Sequence, residues 1–105
     1  MSKSRPVALI TGASAGIGRA FAEALADRGY DLVVVARDAA RLEELDEMLK
    51  TKHSTSVEVL PADLTADEGL MLVEDRLKRE DAPIDLLVNN AGFGTAGRFH
   101  EISID

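Results

Sequence analysis

The chain has 105 residues, of which 46% are hydrophobic and 30% charged, a composition typical of one small soluble domain. The absence of cysteine excludes disulfides, thiolate metal sites and cysteine nucleophiles, and a net charge of −7 disfavours nucleic acid as a partner. Because no apolar run has the length of a membrane span and residues 1–6 lack the pattern of a secretory signal, we expect no membrane partner and a cytoplasmic location.

The first predicted strand, Val7 to Ile10, runs directly into the glycine-rich segment Thr11-Gly12-Ala13-Ser14-Ala15-Gly16-Ile17-Gly18. Glycine permits positive φ and a close backbone approach, and the first N–H groups of a following helix have no partner within that helix. A pyrophosphate satisfies those donors and meets the positive end of the helix dipole. The strand before the glycines and the helix after them favour a phosphate-binding loop. The alternative is a glycine-rich turn that binds nothing.

Apolar spacing then predicts two helices around a second strand. The first helix carries Ile17, Ala20, Phe21, Ala24 and Leu25 at helical spacing and stops at Gly29. The second strand, Leu32 to Ala36, is apolar without alternation, which indicates cover on both faces. Asp38 is positioned to cap a second helix with the apolar stripe Leu42, Leu45, Met48 and Leu49.

The rest of the chain repeats the alternation. Val57 to Leu60, with polar residues interleaved, predicts an edge strand. Thr65-Ala66-Asp67-Glu68 has capping-box spacing before a third helix with Leu70, Val73 and Leu77. Ile84 to Asn90 predicts a fourth strand. The order β-α-β-α-β-α-β predicts an α/β fold with a parallel, doubly wound sheet.

Ligands of such sheets bind at the carboxyl ends of the strands, and polar residues follow each predicted strand there. Arg37 follows the second strand, where a guanidinium suits a 2′-phosphate on a dinucleotide; the alternative is an exposed arginine paired with Asp38. Asp63 follows the third strand and is able to accept from an adenine amino group beside Leu64, or else is a simple turn aspartate. Asn89 and Asn90 end the fourth strand, as ribose and strand contacts or as turn residues.

Thr11-Gly12-x-x-x-Gly16-x-Gly18, Asp63-Leu64 and Asn89-Asn90-Ala91-Gly92, in this order and spacing, resemble the short-chain dehydrogenase/reductase family. The resemblance implies a Rossmann fold and hydride transfer between NAD(P) and a small alcohol or carbonyl substrate, and Arg37 at the end of the second strand favours NADP over NAD. A nucleotide-binding sheet of this type has the strand order 3-2-1-4. The resemblance also implies that Asn89 is mainly structural. The cofactor-binding residues it implies are Gly12, Ser14, Ala15, Gly16, Ile17, Gly18, Arg37, Asp63, Leu64, Asn90, Ala91 and Gly92.

The family's serine and Tyr-x-x-x-Lys residues have no match here, because Tyr30 is the only tyrosine and Val34 stands four positions after it. We therefore expect residues 1–105 to be a cofactor-binding domain truncated before the catalytic segment, and to be inactive alone. The alternative is a stand-alone dinucleotide-binding or regulatory module. The fourth strand is apolar enough to have neighbours on both sides, so we expect it to present an unpaired edge and the protein to form a homo-oligomer.

Overall fold

A computed structural model describes residues 5–14, 16–90 and 102–104 of the chain. The elements run in the order β1 Val7–Thr11, α1 Gly16–Asp27, β2 Asp31–Ala36, α2 Ala39–His53, β3 Val57–Pro61, α3 Asp67–Lys78, β4 Leu86–Asn89 and β5 Ile102–Ile104. The first four strands are parallel and lie side by side in the order β3-β2-β1-β4. The predicted α/β fold and its strand order are therefore confirmed.

The edges of the sheet agree with the sequence at one side and differ at the other. β3 is the outer strand of the described sheet, as its interleaved polar residues predicted. The expectation of an unpaired edge on β4 is wrong, because β5 pairs with β4 in antiparallel register, Leu86 opposite Ile104 and Val88 opposite Ile102. An apolar strand with open N–H and C=O groups is stabilised by such a partner.

The core is divided by the sheet into two clusters, because successive side chains of a strand point to opposite faces. Ile10 and Val34 face α1 and α2 and lie in the larger cluster. Leu9 and Val33 face the other way and pack in a cluster with Val73 of α3. Residues adjacent in sequence on β1 and β2 are thus fully buried on both faces, which explains why these strands show no polar alternation.

Helix α1 packs by a different face from the one that apolar spacing predicted. Its buried residues are Gly18, Ala22 and Ala26, whereas Ile17 is 68% exposed and Phe21 is partly exposed. Small residues at every fourth position let the helix axis approach the sheet closely, and the larger apolar side chains then point outward. The close approach at the start of this helix bears directly on the site described below.

Helix α2 follows its prediction and α3 does not. Leu42, Leu45 and Leu49 are buried in α2, and the Asp38 side chain accepts from the Arg41 N–H as its N-cap. In α3 the buried residues are Gly69, Val73 and Arg76, while Leu70 and Leu77 of the predicted stripe are exposed. Among the residues that the structure describes, no helix combines the length and the apolarity that crossing a membrane requires.

Candidate functional site

The carboxyl ends of the four parallel strands form one rim of the sheet. Parallel pairing places Thr11 of β1 opposite Asn89 of β4, and Ala36 of β2 opposite Pro61 of β3. Each strand is followed at this rim by one of the predicted site segments. The sequence therefore brings the glycine loop, Arg37, Asp63 and Asn90 to the same side of the sheet.

The glycine loop after β1 depends on backbone conformations that favour glycine. Gly12 has φ 66° and Gly16 has φ 60°, both in the left-handed region. Between them, Ala13 is fully buried and its N–H donates to the Val35 carbonyl at 3.2 Å. The loop is thus tied to β2 and leads directly into α1, whose first turn contains no acidic residue. The positive end of this helix dipole is left uncompensated by its own side chains.

Gly18 allows α1 to rest on the loop that precedes it. A Cβ on Gly18 would overlap the carbonyl oxygen of Gly12 and lie 2.8 Å from the Nδ2 atom of Asn90. The Asn90 Nδ2 group donates to the same carbonyl at 3.5 Å. These atoms leave no room for a Cβ, so this close contact between α1 and the glycine loop requires glycine at position 18. The contact holds the start of α1, whose first N–H groups have no partner within the helix, close to the end of β1.

A hydrogen-bond network joins the ends of β1 and β4. The buried Thr11 hydroxyl donates to Asn89 Oδ1 at 3.0 Å and accepts from the Asn90 N–H at 2.9 Å. Asn89 thus ties two strand ends together, and Asn90 continues toward the glycine loop. The two asparagines therefore make different contacts at the rim, which differs from the alternative that both are ordinary turn residues.

Two further loop residues have described positions. Ser14 is partly buried, and the exposed Ile17 side chain stands at the start of α1. Three predicted site residues, Ala15, Ala91 and Gly92, lie outside the described residues.

Arg37 is exposed at the end of β2 and is not engaged by Asp38. Asp38 instead caps α2 through the Arg41 N–H and lies 3.5 Å from the Arg41 Nε atom. The alternative reading of Arg37 as the ion-pair partner of Asp38 is therefore not what the structure shows. A guanidinium remains at the rim, where it is available to an anionic ligand.

Asp63 lies beyond β3 in a tight turn. Its Oδ1 atom accepts from the Thr65 N–H at 2.9 Å and from the Thr65 hydroxyl at 2.6 Å. The pKa of Asp63 lies below its ordinary value. The main cause is the hydrogen bond from the Thr65 hydroxyl, followed by the one from the Thr65 N–H, and the charge of Arg37 adds to both. Leu64 is partly buried against the smaller core cluster. The two hydrogen bonds thus fix the orientation of the Asp63 carboxylate, and the positive charge of Arg37 stabilises its ionised form.

The predicted capping box at residues 65–68 is wrong, because the Thr65 hydroxyl donates to Asp63 and does not cap α3. The N-cap of α3 is Ala66, which has no side-chain hydrogen bond to the helix. The two acidic residues Asp67 and Glu68 lie in the first turn and compensate the dipole of α3. The start of α3 therefore differs from that of α1, which carries no such compensation.

Two residues at the rim were not singled out as functional from the sequence. The Thr11 hydroxyl hydrogen-bonds to both Asn89 and Asn90. Gly69 of α3 is buried directly against the backbone of Asp63. A glycine inside a helix is an unfavourable choice that indicates a packing reason, so Gly69 had a readable signal. The role of Thr11 depends on which strand lies beside β1, and no local pattern gives that neighbour.

A concave region lies at the opposite edge of the sheet, at the amino ends of the strands. It is an open groove whose charged groups are already engaged within the fold: Arg5 lies 3.4 Å from Asp31, and Asp85 accepts from the Val7 N–H at 2.9 Å. Ligands of parallel sheets bind at the carboxyl ends instead. Within the described part of the chain, no three His, Asp or Glu side chains come together as a metal site would require.

The rim carries two groups suited to anions. The N-terminus of α1 lies against the end of β1, where Gly18 packs on the Gly12 carbonyl, and the exposed Arg37 follows β2. A sequence profile described as short chain dehydrogenase matches residues 6–105. The chain belongs to the short-chain dehydrogenase family.

Related proteins place this family membership in context. The chain is 38% identical over 86 residues to an uncharacterized oxidoreductase of Staphylococcus saprophyticus, covering 82% of this chain and 37% of that protein. A solved short-chain dehydrogenase from Sphingobium yanoikuyae in complex with NADPH is 53% identical, with a TM-score of 0.80 over 90% of this chain and 36% of that one. The bulky-bulky ketone specific alcohol dehydrogenase from Comamonas testosteroni is 50% identical, with a TM-score of 0.80 over 90% of this chain and 37% of that one.

The chain therefore spans little more than a third of the length of these relatives. The family, the Rossmann-like sheet and a nicotinamide dinucleotide as the family's cofactor follow from the comparisons.

Proposed function

We propose that this chain is the cofactor-binding portion of an NADP-dependent oxidoreductase. The enzyme would interconvert the alcohol and carbonyl forms of a small substrate by hydride transfer. The observation that carries the proposal is the position of Arg37, exposed at the end of β2 while Asp38 is engaged by Arg41. Cofactors with a free 2′-hydroxyl are held by an acidic residue near this point of the fold. An arginine there favours a 2′-phosphate.

The chain's own residues would hold the two ends of the cofactor. The loop and first turn comprising Gly12, Ser14, Ala15, Gly16, Ile17 and Gly18 would bind the pyrophosphate through backbone N–H groups. Arg37 would bind the 2′-phosphate, and Asp63 with Leu64 the adenine. Asn90, Ala91 and Gly92 would bind the ribose beside the nicotinamide.

When bound, the nicotinamide supplies or accepts the hydride. The described residues hold Asn90 in place at the rim. Asn90 stands beside the Gly12 carbonyl, and the Thr11 hydroxyl holds the Asn90 backbone. The Asn90 end of the rim is therefore fixed by β1 and β4 together. No residue of the 105 matches the family's Tyr-x-x-x-Lys pair, so we place proton transfer outside this set of residues.

The NADPH complex of the Sphingobium yanoikuyae relative supports a phosphorylated cofactor for this chain as well. We also propose a cytoplasmic location and a homo-oligomeric protein, whose subunit contact is not the β4 edge, because β5 pairs there.

The test is a calorimetric titration of the wild type, Arg37→Ala and Arg28→Ala with NADPH and with NADH. We expect the wild type to prefer NADPH. Loss of a charge-assisted contact to phosphate costs roughly 1.5–3 kcal/mol, so Arg37→Ala should weaken NADPH binding by about 10- to 100-fold and leave NADH binding nearly unchanged. Arg28→Ala removes an exposed arginine just beyond the C-terminal end of α1, away from the rim and from Asp38, and should keep the preference. An unchanged NADPH-to-NADH ratio in Arg37→Ala would overturn the choice of NADP, and no binding of either cofactor would overturn the proposal as a whole.

A further inference from the structure

The contact that carries a further inference lies between α3 and the turn after β3. Gly69 is the third residue of α3 and is buried. A Cβ at this position would overlap the Asp63 carbonyl group and lie 2.8 Å from the Asp63 backbone nitrogen. The obstructing atoms are backbone, so they are unable to swing aside as the end of a flexible side chain would. Either α3 or the Asp63 turn would have to move to admit a side chain.

The turn that Gly69 touches is held by hydrogen bonds on all its other sides. The Asp63 carbonyl accepts from the Ala66 N–H at 3.0 Å, and its Oδ1 atom accepts twice from Thr65. Just before the turn, the Ala62 N–H donates to the Ala36 carbonyl at 2.9 Å, next to Arg37. Among the described residues, no hydrogen bond ends on the Oδ2 atom of Asp63. That oxygen is the one available to a ligand.

The contact resembles the one that Gly18 makes with Gly12. In both places a buried helical glycine rests on a backbone carbonyl at the rim. Alanine is a better helix former than glycine, so helix stability alone gives no reason for residue 69 to lack a side chain. The reason must lie in the close approach itself.

We propose that Gly69 is a positioning residue for the adenosine end of the cofactor, because its missing side chain lets α3 fix the Asp63 turn beside Arg37. The proposal rests on the proposed function, since it takes Asp63 as a cofactor contact. Gly69 itself touches no ligand. It acts through the backbone of Asp63, and Thr65 acts on the carboxylate of the same residue.

The alternative is that Gly69 serves only the packing of α3. The two roles predict different effects on ligand binding. A packing role lowers the stability of the protein and weakens the binding of any ligand only as far as the folded protein is lost. A positioning role changes affinity for the adenosine end specifically, and only while residue 63 has a carboxylate to position.

The experiment measures binding of adenosine 2′,5′-bisphosphate to the protein in the Gly69→Ala, Thr65→Val and Val73→Ala variants, each with Asp63 and with Asp63→Ala. Gly69→Ala should weaken binding by about tenfold, the effect of one lost hydrogen bond to a charged group, and this loss should vanish in the Asp63→Ala background. Val73→Ala is the matched control, because Val73 is buried in the same helix and contacts the smaller core cluster. It should lower the stability and leave the affinity within about twofold.

Thr65→Val keeps the shape of the turn and removes one of the two bonds to Oδ1, so it tests the positioning of Asp63 even if Gly69→Ala does not fold. A readout without ligand is the ¹³C titration of the Asp63 carboxyl group. Its pKa should rise toward the ordinary value in Thr65→Val and in folded Gly69→Ala, and stay low in Val73→Ala.

Equal losses of affinity in Gly69→Ala with and without the Asp63 carboxylate would overturn the positioning role and leave the proposed function intact. An unchanged affinity and an unchanged Asp63 titration in Thr65→Val would do the same. Failure of the wild type to bind either the bisphosphate or NADPH would overturn the proposed function, and the role of Gly69 with it.

Discussion

Gly18 at the start of α1 packs directly on the carbonyl group of Gly12 at the end of β1, with no room for a Cβ between them. The contact sets the distance between the first strand and the first helix, and so the place where the N–H groups of the first turn emerge. Gly16, two residues earlier, differs in kind. It has φ 60° and open space around it, so its requirement concerns backbone conformation and not packing.

Gly18→Ala should therefore cost about 1–3 kcal/mol of unfolding free energy, since overpacking against rigid backbone is destabilising. NADPH affinity should fall further than stability alone explains, because the helix start shifts away from the loop. Urea denaturation and calorimetric titration measure the two effects. Gly29→Ala is the control: Gly29 lies two residues beyond the end of α1 with φ 95° in open space, so this variant should lose stability and keep its affinity.

Gly16 gives a second, separable prediction. Asparagine tolerates positive φ better than alanine does, so Gly16→Asn should be more stable than Gly16→Ala by a few tenths of a kcal/mol to about 1 kcal/mol. At position 18 no such rescue is expected, because asparagine is larger still. A thermal unfolding series of the four variants shows the pattern. Equal rescue at both positions would contradict the distinction between conformation and packing.

Thr11 is predicted to hold the rim together through its hydroxyl group. Thr11→Val keeps the shape but leaves the Asn90 N–H and Asn89 Oδ1 without this partner, which should cost about 1–3 kcal/mol. Thr11→Ser keeps the hydroxyl and should recover most of the loss. Amide exchange of Asn90 is the direct measurement, with faster exchange expected in the valine variant alone. Equal exchange rates in the valine and serine variants would rule out this role.

The positions of β1 and β2 and of the rim could be predicted from the sequence because their signals are local, whereas the strand order followed from the known order of nucleotide-binding sheets. Apolar runs without alternation identified β1 and β2, and each run was followed by residues that end a strand. Arg37, Asp63 and Asn90 needed no further knowledge, since parallel strands bring their carboxyl ends to one side. The N-cap role of Asp38 was equally local and is confirmed by its bond from the Arg41 N–H.

The packing faces of α1 and α3 could not be predicted in the same way. Apolar spacing selects large residues, whereas the contact faces contain Gly18 and Gly69, which make close approaches possible by having no side chain. Thr65 was misassigned for another reason. Its hydroxyl suits both an N-cap and an aspartate turn, and Asp63 two residues earlier takes it. The pairing of β4 with β5 was missed because β5, Ile102–Ile104, has only three residues, too few for apolar periodicity to indicate a strand.

Arg76 is predicted to stabilise the return from α3 to β4. It is 6% exposed, donates through Nε to both Glu58 carboxylate oxygens at 3.1–3.2 Å, and donates through Nη1 to the Ala82 carbonyl at 2.7 Å. Arg76→Met should cost about 2 kcal/mol, less than for a fully buried pair because Glu58 stays solvated. Arg79→Met breaks only an exposed pair with Asp81 and should cost clearly less in the same denaturation experiment. Equal costs would contradict the role of burial.

The pair that joins α1 to α2 predicts a pH dependence. Lys52 donates to Glu23 at 2.8 Å, and this hydrogen bond and charge hold the pKa of Glu23 below its ordinary value of 4.5. A carboxylate with a lowered folded pKa adds stability above that ordinary value and loses it as the pH falls through the lowered value. Lys52→Met should therefore be less stable than the wild type at neutral pH, with a difference that shrinks in acid and in high salt. Lys50→Met, on the same helix, should not change the Glu23 titration.

The most direct test of the account is an amide NMR titration of the protein with NADPH. We predict saturable shifts at the rim, concentrated at Gly12, Gly16, Gly18, Arg37 and Asp63, with the amino-end groove around Arg5 and Asp85 unchanged. Shifts confined to that groove, or no saturable shifts at the glycine loop, would contradict the assignment of the rim as the cofactor site.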